Sequence, residues 1–162
     1  MERFTIDRRI VFLFRLLMGW VFLYAGLWQV LSLDFSTSQF LSHTKTFHDV
    51  YAPLTAPSIA PVLTFLVSYG HLLIGLSLVS GLLVRVSGPF GIALLLTYWT
   101  AHMNFPYIET HVNLIIDYHI VYAVLTGWLV AANAGHAFGL DGWLARRGFE
   151  ILGSKPTAAP AE

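Results

Sequence analysis

Residues 61–84 read PVLTFLVSYGHLLIGLSLVSGLLV, and no Asp, Glu, Lys or Arg occurs anywhere between Val50 and Val84. A second uncharged stretch follows between Val86 and Ile108. A transmembrane helix needs about 20 mainly apolar residues, so each stretch is long enough to cross a bilayer. The connection between them, around Arg85, is very short. The two stretches are therefore predicted to form antiparallel, neighbouring helices in a membrane.

Two further apolar segments flank this pair, and the four predicted spans cover residues 10–33, 62–84, 86–105 and 112–132. Hydrophobic residues make up 56% of the chain and charged residues 11%, whereas soluble domains carry about 25% charged residues. The sequence therefore predicts an all-α, polytopic membrane protein with a four-helix transmembrane bundle. Residues 1–152 are expected to form a single domain. Residues 153–162, rich in Ala and Pro, are expected to form a disordered tail.

The basic residues predict the orientation of the bundle. Of the nine Lys and Arg residues, only Lys45 falls outside the two termini and the second connection. Because Lys and Arg concentrate on the cytoplasmic side of membrane proteins, both termini are predicted to lie in the cytoplasm, in a bacterial inner membrane. The first connection, 34–61, is long, and its residues 38–51 suit either a short interfacial helix or a plain loop. No basic patch suited to nucleic acid is present.

Polar side chains collect in the outer half of the predicted bundle. They are drawn from all four helices, which indicates a pocket that opens toward the outer face. In a bilayer, a buried polar side chain usually has a partner or a function. The candidate catalytic residues are His71, Asp117 and His119, and the candidate cofactor-binding residues are Gln29, His102, Asn104 and Asn113.

Each candidate also has a simpler interpretation. His102, Asn104 and Asn113 would suit the headgroup level of the bilayer, and Gln29 would suit a helix–helix hydrogen bond. The deeper His71 and Asp117 favour a functional role. On a continuous fourth helix, Asn113 and Asp117 would share a face. Asp117 and His119 would instead point about 200° apart.

Histidines and a carboxylate at the same depth in the membrane are compatible with three kinds of chemistry. Such groups bind transition metals, two facing histidines bind haem, and a His with an Asp exchanges protons with a quinone. No pair has the spacing of a clear metal or haem motif, and the absence of cysteine excludes thiolate ligands. A quinone needs only an apolar slot with a polar end, so quinone is the predicted cofactor.

Several motifs resemble the DoxX/DoxD family of small four-helix membrane proteins. RLLMG at 15–19 precedes FLYAG at 22–26, and GHLLIG at 70–75 precedes GLLVR at 81–85. Many family members carry Glu where this chain has His71. NLIIDYHIVYA at 113–123 resembles the fourth-helix motif of the DoxD-like branch, and AGHAFGLD at 134–141 resembles the terminal signature. The resemblance implies a DoxD-like subunit of thiosulfate:quinone oxidoreductase, which acts with a partner subunit.

Three functions therefore compete. The first is a quinone-linked membrane redox subunit, an oxidoreductase component. The second is a non-catalytic accessory or scaffold subunit, in which Gly127, Ala131 and Gly135 would form a helix-packing face. The third, a small-solute carrier, lacks the broken helices or inverted repeat that such carriers show. Beyond the lipid bilayer, the candidate partners are a second redox subunit and further copies of the chain.

Overall fold

The computed structural model describes residues 7–109 and 111–149, and most of them are helical. The predicted tail at 153–162 lies outside the described residues. The helices are α1 (Arg8–Leu31), α2 (Thr37–Leu41), α3 (His48–Tyr51), α4 (Ala60–Ser80), α5 (Val84–Ala101), α6 (Tyr118–Ala131) and α7 (Leu140–Arg146). Single 3₁₀ turns occupy Ala52–Thr55 and Ala134–His136, and the strands are β1 (Met103–Asn104), β2 (Tyr107–Ile108) and β3 (Asn113–Leu114).

The long helices begin and end where local chemistry favours it. The Asp7 carboxylate accepts a hydrogen bond from the backbone N–H of Arg9 at 2.8 Å, which caps α1. α4 begins with Pro61 in its first turn and ends at Gly81, whose φ of +70° suits glycine. The chain then turns directly into α5, so the predicted tight connection between antiparallel neighbours is confirmed.

Two of the described helices, α1 and α4, are long and apolar enough to cross a membrane. α6 is equally apolar in character but has only 14 residues. α5 has 18 residues and contains Pro89. The exposed surface of α1 and α4 is rich in large apolar side chains, among them Trp20, Leu66 and Leu73.

The four long helices pack in the order α1, α4, α5, α6, and α6 also contacts α1. The closest approach joins α1 to α4 at Gly26 and Gly75. A Cβ atom on Gly26 would collide with the backbone of Leu72, and one on Gly75 would collide with the backbone of Leu23. Small residues at such positions let two backbones approach closely.

The first connection is neither one continuous helix over 38–51 nor a plain loop. It contains α2 and α3, followed by a 3₁₀ turn. Leu41 and Tyr51 are buried against Ala101 of α5, and the Tyr51 hydroxyl is 2.6 Å from Thr100 Oγ1. The segment therefore folds back over the end of the long helices at which α5 ends.

Two of the predicted spans are longer than the helices found there. The third span was expected to reach residue 105, but α5 ends at Ala101. The fourth was expected to begin at residue 112, but α6 begins at Tyr118. The intervening chain forms an antiparallel sheet in the order β1–β2–β3. Strand pairing provides hydrogen bonds for some backbone N–H and C=O groups of this segment. The segment can therefore be partly buried without being helical.

The opposite end of the helices is held by Arg15 and Asp141. Arg15 is 1% exposed and donates to the Ala134 carbonyl at 3.1 Å. The Asp141 carboxylate accepts from the backbone N–H of Leu83 at 2.9 Å, while its own N–H donates to Gly81 O. Arg15 therefore pairs within the protein. The segment after α6 thereby fastens the turn between α4 and α5.

Candidate functional site: a buried cluster of histidine and tyrosine rings

Asp117 and His119 form a direct, buried pair. His119 Nδ1 lies 2.6 Å from Asp117 Oδ2, and the backbone N–H of His119 donates to Asp117 Oδ1 at 3.0 Å. Both residues are buried. The expectation that they point apart was wrong, because Asp117 precedes α6 as its N-cap and does not follow helical geometry. A carboxylate that holds a histidine in this way fixes the tautomer and orientation of the ring.

Tyr98 of α5 connects this pair to His71 of α4. Its ring centroid lies 5.9 Å from that of His119, with the planes 3° apart. It lies 5.6 Å from the centroid of His71. His102 stacks on His119 at 5.0 Å. We call His71, Tyr98, His102 and His119 the ring cluster. It joins α4, α5 and α6.

His71 faces the interior of the protein, as predicted. It is 7% exposed and shares the buried face of α4 with Gly75 and Leu78. Its Nδ1 lies 2.8 Å from the Val67 carbonyl, four residues earlier. Phe22 of α1 packs 5.9 Å from the ring, measured between centroids. The ring is therefore fixed by one hydrogen bond and by aromatic neighbours on two other helices.

His102 leads from the ring cluster to the surface. Its Nδ1 donates to the Tyr98 carbonyl, and its Nε2 lies 3.2 Å from Glu109 Oε1. The Glu109 side chain is 53% exposed. A cavity of about 260 Å³ opens beside this pair and is also lined by Lys45 and Asn104. The Glu109 side of the cluster therefore lies next to the protein surface.

Gln29 lies against the hydroxyl of Tyr98. Its Oε1 atom is buried without a hydrogen-bond partner among the described residues. A buried polar atom of this kind is costly unless a ligand or water satisfies it. Gln29 also lines a cleft of about 700 Å³ between α1 and α4, together with Ser68 and Tyr69. Among the described residues that line this cleft, none carries a charge.

The remaining candidates lie apart from this centre. Asn104 is exposed in β1, at the rim of the cavity beside His102. Asn113 lies in β3, so the expectation that it shares a helical face with Asp117 was wrong. The structure brings together His71, Asp117, His119, His102 and Gln29, but it places both asparagines in the small sheet.

Sequence reasoning missed the central role of Tyr98 and the contact between His102 and Glu109. Tyr98 is four residues before His102, so the two share a helical face, and this spacing was the available signal. Asp117 directly before an apolar helical run was a second signal, because Asp is a favoured N-cap residue. Within residues 7–109 and 111–149, no group of three or more His, Asp or Glu is arranged to hold a metal ion.

A comparison with protein families identifies the family to which the chain belongs. The family model of DoxX matches residues 10–103. The chain belongs to the DoxX family. It is accordingly a membrane protein, in agreement with its apolar helices. The DoxX match includes Gln29, His71 and His102 but ends before Asp117 and His119. Neither a curated protein nor a solved structure matches the chain.

Proposed function

We propose that the protein is a quinone-linked redox subunit of the bacterial cytoplasmic membrane. The observation that supports this proposal is the buried Asp117–His119 pair, stacked on Tyr98 at the same end of the helices as His71. A quinone head group bound at the ring cluster would meet two histidines. The cluster has no metal-binding arrangement among the described residues, so proton exchange is the chemistry that its groups suit best.

The proposal includes four membrane crossings with both termini inside. α6 is about 21 Å long at 1.5 Å per residue, which is shorter than a hydrocarbon core of about 30 Å. Residues 103–117 would occupy the remaining depth on the outer side. Non-helical backbone is tolerated at membrane depth where it is buried in protein or lines a cavity. This segment meets that condition where Ile108 and Asp117 are buried.

The reaction would convert a quinone into a quinol with two electrons and two protons. The electrons would come from the redox group of a partner subunit, with thiosulfate as the ultimate donor that the DoxD resemblance suggests. His119, held by Asp117 through Nδ1, would take up a proton at Nε2 and pass it to the nearer ring oxygen. His71 would serve the other oxygen. Asp117 acts through His119 and is therefore a positioning residue.

The residues present suit such a ligand. The cleft beside Gln29 and Ser68 is uncharged and large enough for a substituted ring. Gln29, which lies against Tyr98, connects this cleft to the ring cluster, and none of the four rings lines the cleft. Gln29 Oε1 needs a hydrogen-bond donor that the described protein does not supply. A reduced quinone carries that donor, since each of its oxygens bears a proton. A neutral, ring-shaped ligand therefore suits the volume of this cleft and its lack of charged residues.

The test is purification from native membranes with quinone extraction and partner identification. The proposal predicts about one quinone per chain and a co-purifying redox subunit. A protein that carries no quinone, and does not bind added duroquinone or duroquinol, would contradict it. Tight co-purification with a large oxidase in that case would favour the accessory-subunit alternative. The helix-packing face expected for that alternative, at Gly127, Ala131 and Gly135, does not form, because α6 ends at Ala131 and Gly135 lies in a separate turn.

A further inference from the structure

Ser68 differs from the other hydroxyl-bearing residues of the described helices. Serine and threonine inside a helix commonly donate to a carbonyl oxygen one turn earlier, as Ser80, Thr97 and Thr126 do here. All the Ser and Thr side chains of the described helices make a hydrogen bond, with the exception of Ser68. Ser68 is nevertheless 4% exposed. A buried hydroxyl group without a partner costs free energy, so this position calls for a ligand or water.

The Ser68 hydroxyl opens on the cleft of about 700 Å³ between α1 and α4. Ser68 lines this cleft, and its Oγ atom is not enclosed by protein. Other hydroxyl groups of the cleft are already paired: Ser36 with Ser38 at 2.8 Å, and Thr64 with Thr37 at 2.9 Å between the oxygen atoms. Ser68 is also the one hydroxyl-bearing residue lining the cleft that is buried. It is therefore the buried donor that this cleft offers to a ligand.

Aromatic rings line the same cleft beside Ser68. The rings of Phe65 and Tyr69 lie 4.5 Å apart between centroids, with their planes 34° from parallel. Both residues line the cleft, together with Phe35. Aromatic rings pack favourably against another planar ring, and a few polar groups in a mainly apolar site fix the orientation of a ligand. The combination suits a flat, neutral ligand that carries a hydrogen-bond acceptor.

Ser68 also lies close to the ring cluster along the chain. It precedes His71 by three residues, and both belong to the buried face of α4. At 1.5 Å per residue, the two positions are about 4.5 Å apart along the helix axis. Gln29 lines the cleft on the α1 side and lies against the hydroxyl of Tyr98. A ligand atom held by Ser68 would therefore lie about one helical turn from His71.

We infer that the Ser68 hydroxyl is the donor that binds a carbonyl oxygen of the quinone head group in this cleft. A quinone oxygen can only accept a hydrogen bond, and a serine hydroxyl can donate one. The inference rests on the proposed function and adds the residue that fixes the head group. Ser68 transfers no proton in this role. The ester carbonyl of a phospholipid offers the same kind of acceptor, so the experiment uses lipids that lack it.

The experiment measures duroquinone binding by calorimetry to the full chain in nanodiscs of ether-linked lipids. Ser68→Ala removes the hydroxyl, and the variant should fold because Ala favours helices. The loss of one neutral hydrogen bond should weaken duroquinone binding about threefold to tenfold. Ser80→Ala is the matched control, since it makes the same change at the other end of α4 and outside the cleft. It should bind duroquinone as tightly as the unmodified protein.

Infrared spectra of bound duroquinone give a second readout, because a hydrogen bond lowers the stretching frequency of a carbonyl group. Ser68→Ala should move one carbonyl band to higher frequency, and Ser80→Ala should move neither. Unchanged carbonyl bands in Ser68→Ala would overturn the inference and leave the proposed function standing. With unchanged affinity, they would mean that only water meets the hydroxyl; with reduced affinity, that Ser68 acts through packing alone. If duroquinone does not bind to the unmodified protein, the inference and the proposed function both fail.

Discussion

At the scale of single residues, the Asp117 carboxylate is the group whose removal is most informative. Asn at this position keeps the size and can still cap α6, but it lacks the charge that holds His119. A general acid or base typically contributes about 10²–10⁴-fold. We therefore expect Asp117→Asn to lower kcat by about that range, with the KM for quinone little changed. Thiosulfate-dependent reduction of duroquinone, measured with the native partner and per folded molecule, checks this.

Asp34→Asn is the matched control for this variant, because Asp34 is exposed between α1 and α2. It should retain the activity of the unmodified protein. If Asp117→Asn folds, inserts and turns over at the same rate as Asp34→Asn, the pair has no role in proton transfer and the accessory function becomes the better explanation.

His71 provides a second residue-scale prediction. Leu keeps the bulk of the side chain but removes both ring nitrogens, so His71→Leu should insert and pack normally against Phe22 and Tyr98. Turnover should fall by about 10²–10⁴-fold if the ring exchanges a proton. His48→Leu, at an exposed position outside the ring cluster, should have no such effect. A variant that instead loses expression or thermal stability, with normal activity per folded molecule, would show that His71 is only structural.

At the scale of elements, the contact between α1 and α4 can be tested with two glycines of one helix. Gly75 packs against the backbone of Leu23, whereas a Cβ on Gly70 would meet nothing within 4 Å. Gly75→Ala should lower the free energy of unfolding by about 1–3 kcal/mol through overpacking. Gly70→Ala should raise it by about 0.5–1 kcal/mol, because Ala favours helices. Thermal unfolding in one detergent measures both, and equal effects would contradict the close approach.

The segment 134–141 gives a further prediction at this scale. The Asp141 carboxylate accepts from the backbone N–H groups of Leu83 and Val84, at 2.9 and 3.4 Å. Asp141→Ala should therefore destabilise the protein by about 0.5–2 kcal/mol, as for the loss of a helix cap. Asp34→Ala, at an exposed position, is the control for the loss of charge. A melting temperature equal to that of Asp34→Ala would mean that Asp141 does not stabilise the turn.

These elements also show how far sequence reasoning reaches. The buried face of α4, with His71, Gly75 and Leu78, followed from helical spacing alone and is confirmed. The Asp117–His119 pair did not follow, because Val112, Leu114, Ile115 and Ile116 resemble the beginning of a transmembrane helix. That apolar run folds partly as β3, and Ile115 has a φ of +59°. Pairing with β2 is a tertiary interaction that local hydropathy does not encode.

At the scale of the whole molecule, the distribution of positive charge predicts which side of the membrane the ring cluster faces. Eight of the nine Lys and Arg residues fall in the N-terminal region, at Arg85 or after α6, and positive charge favours the cytoplasmic side. The ring cluster lies at the opposite end of the helices from the contact between Arg15 and Ala134. If both termini are cytoplasmic, Glu109 and His102 face the periplasm, and protons for the site would come from that side.

Reporter fusions test this arrangement directly. Four crossings with both termini inside predict a periplasmic signal for fusions after Leu33 and after Pro106, and a cytoplasmic signal for fusions after Arg85 and after Arg147. Alkaline phosphatase and green fluorescent protein, used in parallel at each site, report the two compartments in opposite senses. An inverted pattern would place the ring cluster at the cytoplasmic face, so that its protons would come from the cytoplasm. A cytoplasmic signal after Pro106 together with the expected pattern elsewhere would show that α5 does not cross, which would leave α1 and α4 as the spanning helices.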